Sequence, residues 1–262
     1  MESAKEASFG MVNPAIFEDL QTKIDEDSQV REELKNILAV LEKQGEYTQL
    51  VATLRANPIE GRGTQSVLSR AHSTPVLKLQ STLKEAEVSI SRQKDSITKL
   101  AEVASRCPYY KYNGVWTRDV QNACFAILLC GWLGGQPGGG GTGQPGKLLT
   151  IEEIGQILNV PVNLKDKDAF HLTIEEYLQS LISLIDELAR LAVNSVTLGD
   201  YERPLQISQF IKDVHAGFQI LNLKNDALRR RSDSIKYSVK KVEDVVYDLA
   251  LRNLVPIKKE DA

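Results

Sequence analysis

The sequence predicts an all-α protein, and three observations lead to that prediction. Apolar residues recur at helical spacing through most of the 262 residues. Two capping boxes, Thr150 with Glu153 and Thr173 with Glu176, each mark the start of a helix. Near the C-terminus, apolar residues repeat every seven positions along one side of a predicted helix: Leu228, Ile235, Val242 and Leu249.

The composition excludes several classes of protein. The 32 basic residues against 35 acidic ones give a net charge of −3, so any nucleic-acid site must be a local patch. Cys107, Cys124 and Cys130 lack metal-ligand spacing, and we expect reduced thiols of an intracellular protein. The N-terminus has no signal-peptide core, and the longest apolar run, 120–133, is too short to span a membrane. We therefore expect a soluble protein.

The first predicted helix carries two candidate binding residues. It begins at Pro14 and keeps an apolar face for about forty residues, with a break expected near Gly45. Asp27 and Arg31 are spaced as an ion pair, while Arg31 and Lys35 place two cations on one face. That face is either a solvated helix surface or part of an anion-binding site.

A second long helix is predicted after the polar connection 57–75. It carries two apolar stripes over four heptads, interrupted by one polar residue, Gln93. The stripes predict a long helix–helix contact, and Cys107-Pro108 ends the helix.

The next segment, Tyr109–Arg118, interleaves aromatic residues with the cations Lys111 and Arg118. Such a pattern is typical of surfaces that stack on bases and neutralise phosphates. Tyr112 and Trp116, four residues apart, could equally be core residues of a helix. The sequence favours neither interpretation.

Residues 134–147 hold eight glycines in fourteen positions and predict a flexible surface loop. The loop contains a near-match to a phosphate-binding P-loop that ends at Gly146-Lys147. Leu148 stands where a Mg²⁺-binding hydroxyl is required, Pro145 lacks an N–H, and we expect no preceding strand. We interpret the loop as a connection, not a nucleotide site.

A central core helix is predicted after Thr173, and Gly199 marks its end. Pro204 lies just inside the following helix, so the two helices should be antiparallel neighbours. His171 and Glu175 are four residues apart, but no second histidine joins them to form a metal site. The sequence contains no recognisable motif for nucleophilic catalysis.

The predicted C-terminal helix, Asp226–Asn253, combines an apolar seam with a cationic flank. Between Asn222 and Lys241, seven lysines and arginines stand against two aspartates, and they include the run 229–231. A helix of this kind packs on one side and attracts an anion on the other.

Three segments of the chain resemble the translin family: VREELK at 30–35, CPYYKYNGVWTRDVQ at 107–121, and the whole of 170–254. The last segment is the most specific, and weaker similarity extends from Pro14. The tail after Pro256, the Gly-rich loop and the connection 57–75 depart from the family pattern.

The resemblance implies a single domain of about seven helices, several of them long, at residues 14–255, which assembles into an octameric shell. We expect a disordered segment at 1–13 and a C-terminal tail at 256–262.

The resemblance also implies binding to single-stranded DNA and RNA, and pairing with translin-associated factor X in an endoribonuclease complex that handles small RNAs. Where the family has histidines, this chain has Asn113 and Val115, which leaves more weight on Lys111 and the arginine run. The expected binding residues, in which Lys224 joins the positions that match the family, are Arg31, Lys35, Lys111, Arg118, Lys224, Arg229, Arg230 and Arg231.

Catalysis in such complexes resembles Mg²⁺-dependent hydrolysis by carboxylates of the partner subunit. The equivalent positions here are Asn122, Phe125, Ser183 and Glu187, so one carboxylate of four remains. A metal near phosphate needs several oxygen ligands. We therefore expect no cofactor in this subunit and little or no catalysis by it alone.

Two other functions are consistent with the sequence. The homo-oligomer could itself be a metal-dependent endoribonuclease, in which case Glu187 would be required. A purely structural coiled-coil protein would explain the heptads, but it leaves the run 229–231 without a role. We expect a cytoplasmic protein, and the short basic run leaves access to the nucleus undecided.

Overall fold

The computed structural model describes residues 14–56, 75–138, 144–164, 168–224 and 226–255. These residues confirm an all-α protein. They form eight helices: α1 (Pro14–Ala56), α2 (Pro75–Ala104), α3 (Tyr109–Trp132), α4 (Ile151–Leu158), α5 (Ile174–Thr197), α6 (Glu202–Ile220), α7 (Asp226–Ser232) and α8 (Ile235–Leu251). The predicted terminal segments 1–13 and 256–262 and most of the connection 57–75 lie outside the described residues.

Both predicted capping boxes form. The hydroxyl of Thr150 accepts the Glu153 N–H at the start of α4, and Thr173 accepts the Glu176 N–H at the start of α5. At the other end of α5, Gly199 has φ +77°, which is a left-handed conformation suited to a glycine at a helix terminus. Short-range sequence signals therefore set both ends of the central helix.

The two long helices α1 and α2 pack against each other along their apolar faces. Leu34 and Leu41 of α1 and Ile90 and Ile97 of α2 are buried. The break expected near Gly45 was wrong, since α1 is continuous to Ala56. One interior glycine costs only about 1 kcal/mol, which does not end a helix this long.

Helix α5 is the central core helix, as predicted. It contacts α3, α6, α7 and α8, and its residues Leu184, Ile185 and Leu188 are fully buried. The Ser180 hydroxyl donates to the carbonyl of Gln121 across the α3–α5 contact at 2.9 Å. Through these contacts α5 connects the N-terminal helices to the C-terminal ones.

The predicted C-terminal helix is interrupted, contrary to our expectation of one rod from 226 to 253. It divides into α7 and α8 at Asp233 and Ser234. The hydroxyls of Ser232 and Ser234 donate to the carbonyls three residues earlier, at 2.8 and 2.7 Å. Side-chain bonds of this kind compete with helical backbone bonding. The apolar seam nevertheless holds, because Leu228, Ile235, Val242 and Leu249 are all buried.

Two of the three cysteines lie in the core. Cys124 and Cys130 are buried, Cys107 is half-buried, and all three are free thiols. Among the described helices, none is both long and apolar enough to cross a membrane.

Candidate nucleic-acid interface

Tyr112 brings together two of the predicted cations at the contact between α1 and α3. The Arg31 guanidinium lies 5.3 Å from the centre of the Tyr112 ring, and the Lys111 ammonium lies 5.5 Å from it. Asp27 of α1 accepts hydrogen bonds from Lys111 Nζ at 2.5 Å and from the Tyr112 hydroxyl at 2.9 Å. The sequence-distant residues Arg31 and Lys111 therefore share one aromatic ring, which fixes them on the same surface.

The ion pair in this cluster is not the one that the spacing suggested. We expected Asp27 to pair with Arg31 along α1, but Asp27 forms its salt bridge with Lys111 of α3. The hydrogen bond from Lys111, and to a lesser extent the one from Tyr112, lowers the pKa of Asp27. The bond between Lys111 and Asp27 also raises the pKa of Lys111. Both groups stay charged at neutral pH, so Asp27 offsets part of the positive charge of Lys111. Lys111 therefore carries less of the site than the sequence suggested.

The aromatic residues of Tyr109–Arg118 divide between core and surface. Tyr112 and Trp116 are 3% and 0% exposed, so the core interpretation is correct for both. Tyr109 stacks on His171 with ring centroids 4.6 Å apart, and Trp116 meets Phe170 edge-on. These three aromatic side chains of α3 are therefore engaged within the protein.

His171 has a structural environment. Its Nδ1 lies 2.8 Å from the carbonyl oxygen of Ala169, and its ring is stacked on Tyr109. Across the described ranges, no group of three or more His, Cys, Asp or Glu side chains could hold a metal ion.

Two further predicted cations are open to solvent. Lys35 on α1 and Arg118 on α3 are exposed, and neither belongs to a salt bridge among the residues that the structure describes. Burial raises the pKa of the neighbouring Asp119, and the charge of Arg118 opposes that rise, so part of the Arg118 charge already acts on an acid.

The arginines of α7 have two different roles. Arg231 donates to Gln179 Oε1 at 2.8 Å and to Ser183 Oγ at 2.6 Å, which attaches α7 to α5. Arg229 and Arg230 are exposed, as is Lys224 just before α7. Gln179 was not found by sequence reasoning, since a contact across 52 residues leaves no local pattern.

Of the four positions that the resemblance compares with a carboxylate cluster, only Glu187 is acidic here. Ser183 accepts from Arg231, and Glu187 receives two bonds from the Arg190 guanidinium. Asn122 is exposed, and Phe125 is partly buried against the core. A guanidinium group therefore lies beside each of the two α5 positions in this set, Ser183 and Glu187.

The near-match to a P-loop does not have the geometry of one. Helix α3, not a strand, precedes the loop, and Lys147 Nζ binds Glu153 Oε1 of the α4 capping box at 2.6 Å. Gly141, the first glycine of the motif, lies outside the described residues. Lys147 contributes to the start of α4 instead.

The fold and this surface define a class of protein: an all-helical chain with a central core helix and grouped cations on its exterior. The model of the translin family matches residues 29–253, and the chain belongs to that family.

Relatives agree with this assignment over nearly the whole length. The chain is 36% identical to mouse translin over 90% of this chain and 92% of that one. It is 35% identical to chicken translin, with 92% and 93% covered. Mouse translin-associated protein X is more distant, at 24% identity over 80% of this chain and 74% of that one.

Solved structures share the fold at low sequence identity. AfC3PO in complex with duplex RNA has a TM-score of 0.56 at 13% identity, with 91% of this chain and 98% of that chain covered. The apo form of NeC3PO has a TM-score of 0.54 with the same identity and coverage.

Proposed function

We propose that this chain is a single-stranded RNA- and DNA-binding subunit of an oligomeric shell. The observation that carries the proposal is the grouping of cations on a chain whose net charge is −3. One group surrounds Tyr112 at the α1–α3 contact, and a second occupies α7. Local positive charge on an otherwise acidic protein is expected for phosphate binding at a defined surface.

The relatives support a place in a mixed complex. One set of relatives is named translin and another is named translin-associated protein X, and a structural neighbour was solved with duplex RNA. We infer that this chain pairs with a protein of the translin-associated factor X type in an endoribonuclease complex for small RNAs.

Exposed apolar side chains support self-association, which we propose reaches an octamer. The first two turns of α1 and the end of α8 expose large apolar side chains, of which Phe17 is 62% and Leu251 is 64% exposed. Apolar side chains grouped on a surface mark contacts with other proteins. Light scattering coupled to size exclusion would give the mass directly, and a monomer at micromolar concentration would refute this part of the proposal.

We propose that the subunit is catalytically inactive alone. Arg231 lies on Ser183, and Arg190 binds the remaining carboxylate, Glu187. Cations at these positions oppose the binding of Mg²⁺ and favour the binding of phosphate. Any Mg²⁺ of the complex would belong to the partner subunit.

The first test is cleavage of a single-stranded RNA in Mg²⁺ by this protein alone and after mixing with the partner, with binding followed in parallel. We expect binding without cleavage until the partner is added, and affinity that falls steeply with salt. Reversal of the charges at Arg229 and Arg230, which leaves the Arg231 contacts with α5 intact, should weaken binding, and unchanged binding would favour a purely structural protein.

The alternative function, a homo-oligomeric endoribonuclease, makes a different prediction. Cleavage would then survive stringent purification of the lone protein and would be lost in Glu187→Ala. We also propose a cytoplasmic location with access to the nucleus, which imaging of the tagged full-length protein would test.

A further inference from the structure

One face of α3 combines an aromatic ring, a bare backbone and a cation. Tyr110, Gly114 and Arg118 follow at intervals of four residues, so they lie in one row about 12 Å long on the helix surface. Arg118 ends this row, and Lys111 lies beside it, one position after Tyr110. Tyr110 is 76% exposed, which makes it the most open aromatic side chain in the described part of the chain.

Gly114 is not required by the fold. Its φ lies outside the left-handed region, and a Cβ built on it would meet nothing within 4 Å. Glycine inside a helix costs about 1 kcal/mol relative to alanine. Its effect here is an open stretch of backbone on the same helix face as Tyr110, one turn further along α3.

The other aromatic side chains nearby cannot serve the same purpose. Tyr112 and Trp116 are buried, and Tyr109 is stacked on His171. On α8, Tyr237 is 68% exposed, but its own neighbour Lys236 lies 5.1 Å from the ring centre. Among the described residues, Tyr110 therefore combines an open ring, a bare surface and adjacent cations.

We propose that Tyr110 is a stacking platform for an unpaired base of a single-stranded nucleic acid. The base would stack on the ring and extend over Gly114, while Arg118 and Lys111 contact the neighbouring phosphates. Every base offers a π-face, so the platform would select single strands without selecting sequence. A base pair inside a duplex presents no free face to such a ring. This inference rests on the proposed function and adds to it the means by which unpaired strands are recognised.

The test is the affinity of the full-length protein for a labelled single strand and for the matching duplex, measured by fluorescence anisotropy. We expect Tyr110→Ala to weaken single-strand binding roughly 5- to 100-fold, as alanine substitution of stacking residues does, with Tyr110→Phe near wild type. Duplex binding should stay unchanged. Tyr237→Ala, a control of similar exposure, should bind like the wild type.

The salt dependence separates stacking from charge. Tyr110→Ala should leave the slope of log affinity against log salt unchanged, whereas Arg118→Gln should reduce its magnitude by about 1. A 2-aminopurine base in the strand should be quenched by the wild type and not by Tyr110→Ala.

A second pair of variants tests the open stretch of backbone without touching the ring. Gly114→Gln fills this stretch while favouring the helix, and it should weaken single-strand binding. Gly217 on α6 also has open space around it, but Asp213 and Leu221, four residues away on each side, supply neither a ring nor a cation. Gly217→Gln is therefore the matched control and should bind normally.

The two proposals fail in different ways. If the wild type binds single strands and Tyr110→Ala binds equally well, the stacking proposal is wrong and the proposed function stands. Equal losses in the Tyr110 and Tyr237 variants would also overturn it. If the wild type binds no single strand at any salt concentration, the proposed function fails, and the stacking role fails with it.

Discussion

Replacement of Thr173 by alanine should destabilise the protein much more than the same change at Thr150. Both residues cap a helix through the same motif. In α5, Glu176 is 2% exposed, and its Oε2 accepts from the Thr173 hydroxyl at 2.9 Å and from the Thr173 N–H at 3.0 Å. In α4, Glu153 reaches solvent and pairs with Lys147. The Thr173 hydroxyl therefore donates to a buried carboxylate, whereas the Glu153 carboxylate also has solvent and Lys147 as partners.

The expected free energies follow from the bonds that are lost. Thr150→Ala removes one N-cap bond, which costs about 1 kcal/mol. Thr173→Ala removes that bond and also a hydroxyl donor to a buried carboxylate, which adds about 1.5 kcal/mol. The difference between the variants should thus be about 1.5 kcal/mol. Thr173→Ser keeps both bonds and should stay near wild type.

Urea unfolding at a fixed protein concentration measures this difference. With a slope of about 3 kcal/mol/M, the midpoints should fall by about 0.3 M for Thr150→Ala and about 0.8 M for Thr173→Ala. Concentration must be held constant because self-association would contribute to stability. Equal midpoint shifts would show that the buried carboxylate does not rely on the Thr173 hydroxyl, and the reasoning would be refuted.

Three other outcomes are expected. Burial raises the pKa of Glu176 above its ordinary value of 4.5. The protonated side chain therefore stabilises the fold fully below pH 4.5, and this stabilisation is lost as the pH rises through the pKa of the folded state. Urea unfolding at several pH values should show that Glu176→Gln flattens this part of the stability profile. Asp27→Asn should release Lys111 and steepen the salt dependence of binding by about 1, whereas Asp25→Asn, an equal change of charge on the same helix, should not. A thiol reagent at pH 8 should modify Cys107 alone in the native protein, because burial raises the pKa of the other two thiols; three fast-reacting thiols would contradict this.

Local signals in the sequence predicted much of the fold correctly. A capping box depends on four consecutive residues, so Thr150 and Thr173 could be assigned without any tertiary information. The heptad stripe of α2 likewise identified Ile90 and Ile97 as core residues. The exposure of Arg118 also follows from its position outside the apolar pattern.

Contacts between distant segments could not be predicted in the same way. Asp27 and Lys111 are 84 positions apart, and helical spacing favoured the wrong partner four residues away. Likewise, nothing near Arg231 indicates that it bonds to Gln179 and Ser183. The division between α7 and α8 did leave a local signal: Ser232, Asp233 and Ser234 favour side-chain bonds to the backbone, but the uninterrupted seven-residue seam concealed it.

The two-residue interruption between α7 and α8 has a consequence for deletion mapping. A chain that stops after Ser234 would keep Arg229–Arg231 but lose α8, which packs on both α5 and α6. Removal of α8 would take away the buried side chains of Ile235, Val242 and Leu249 and uncover the surfaces of α5 and α6 that α8 contacts. If such a truncated protein lost RNA binding, the loss would reflect disruption of the fold, because every α7 arginine would still be present. Point substitutions, and not shortened chains, can locate the binding residues at this end of the molecule.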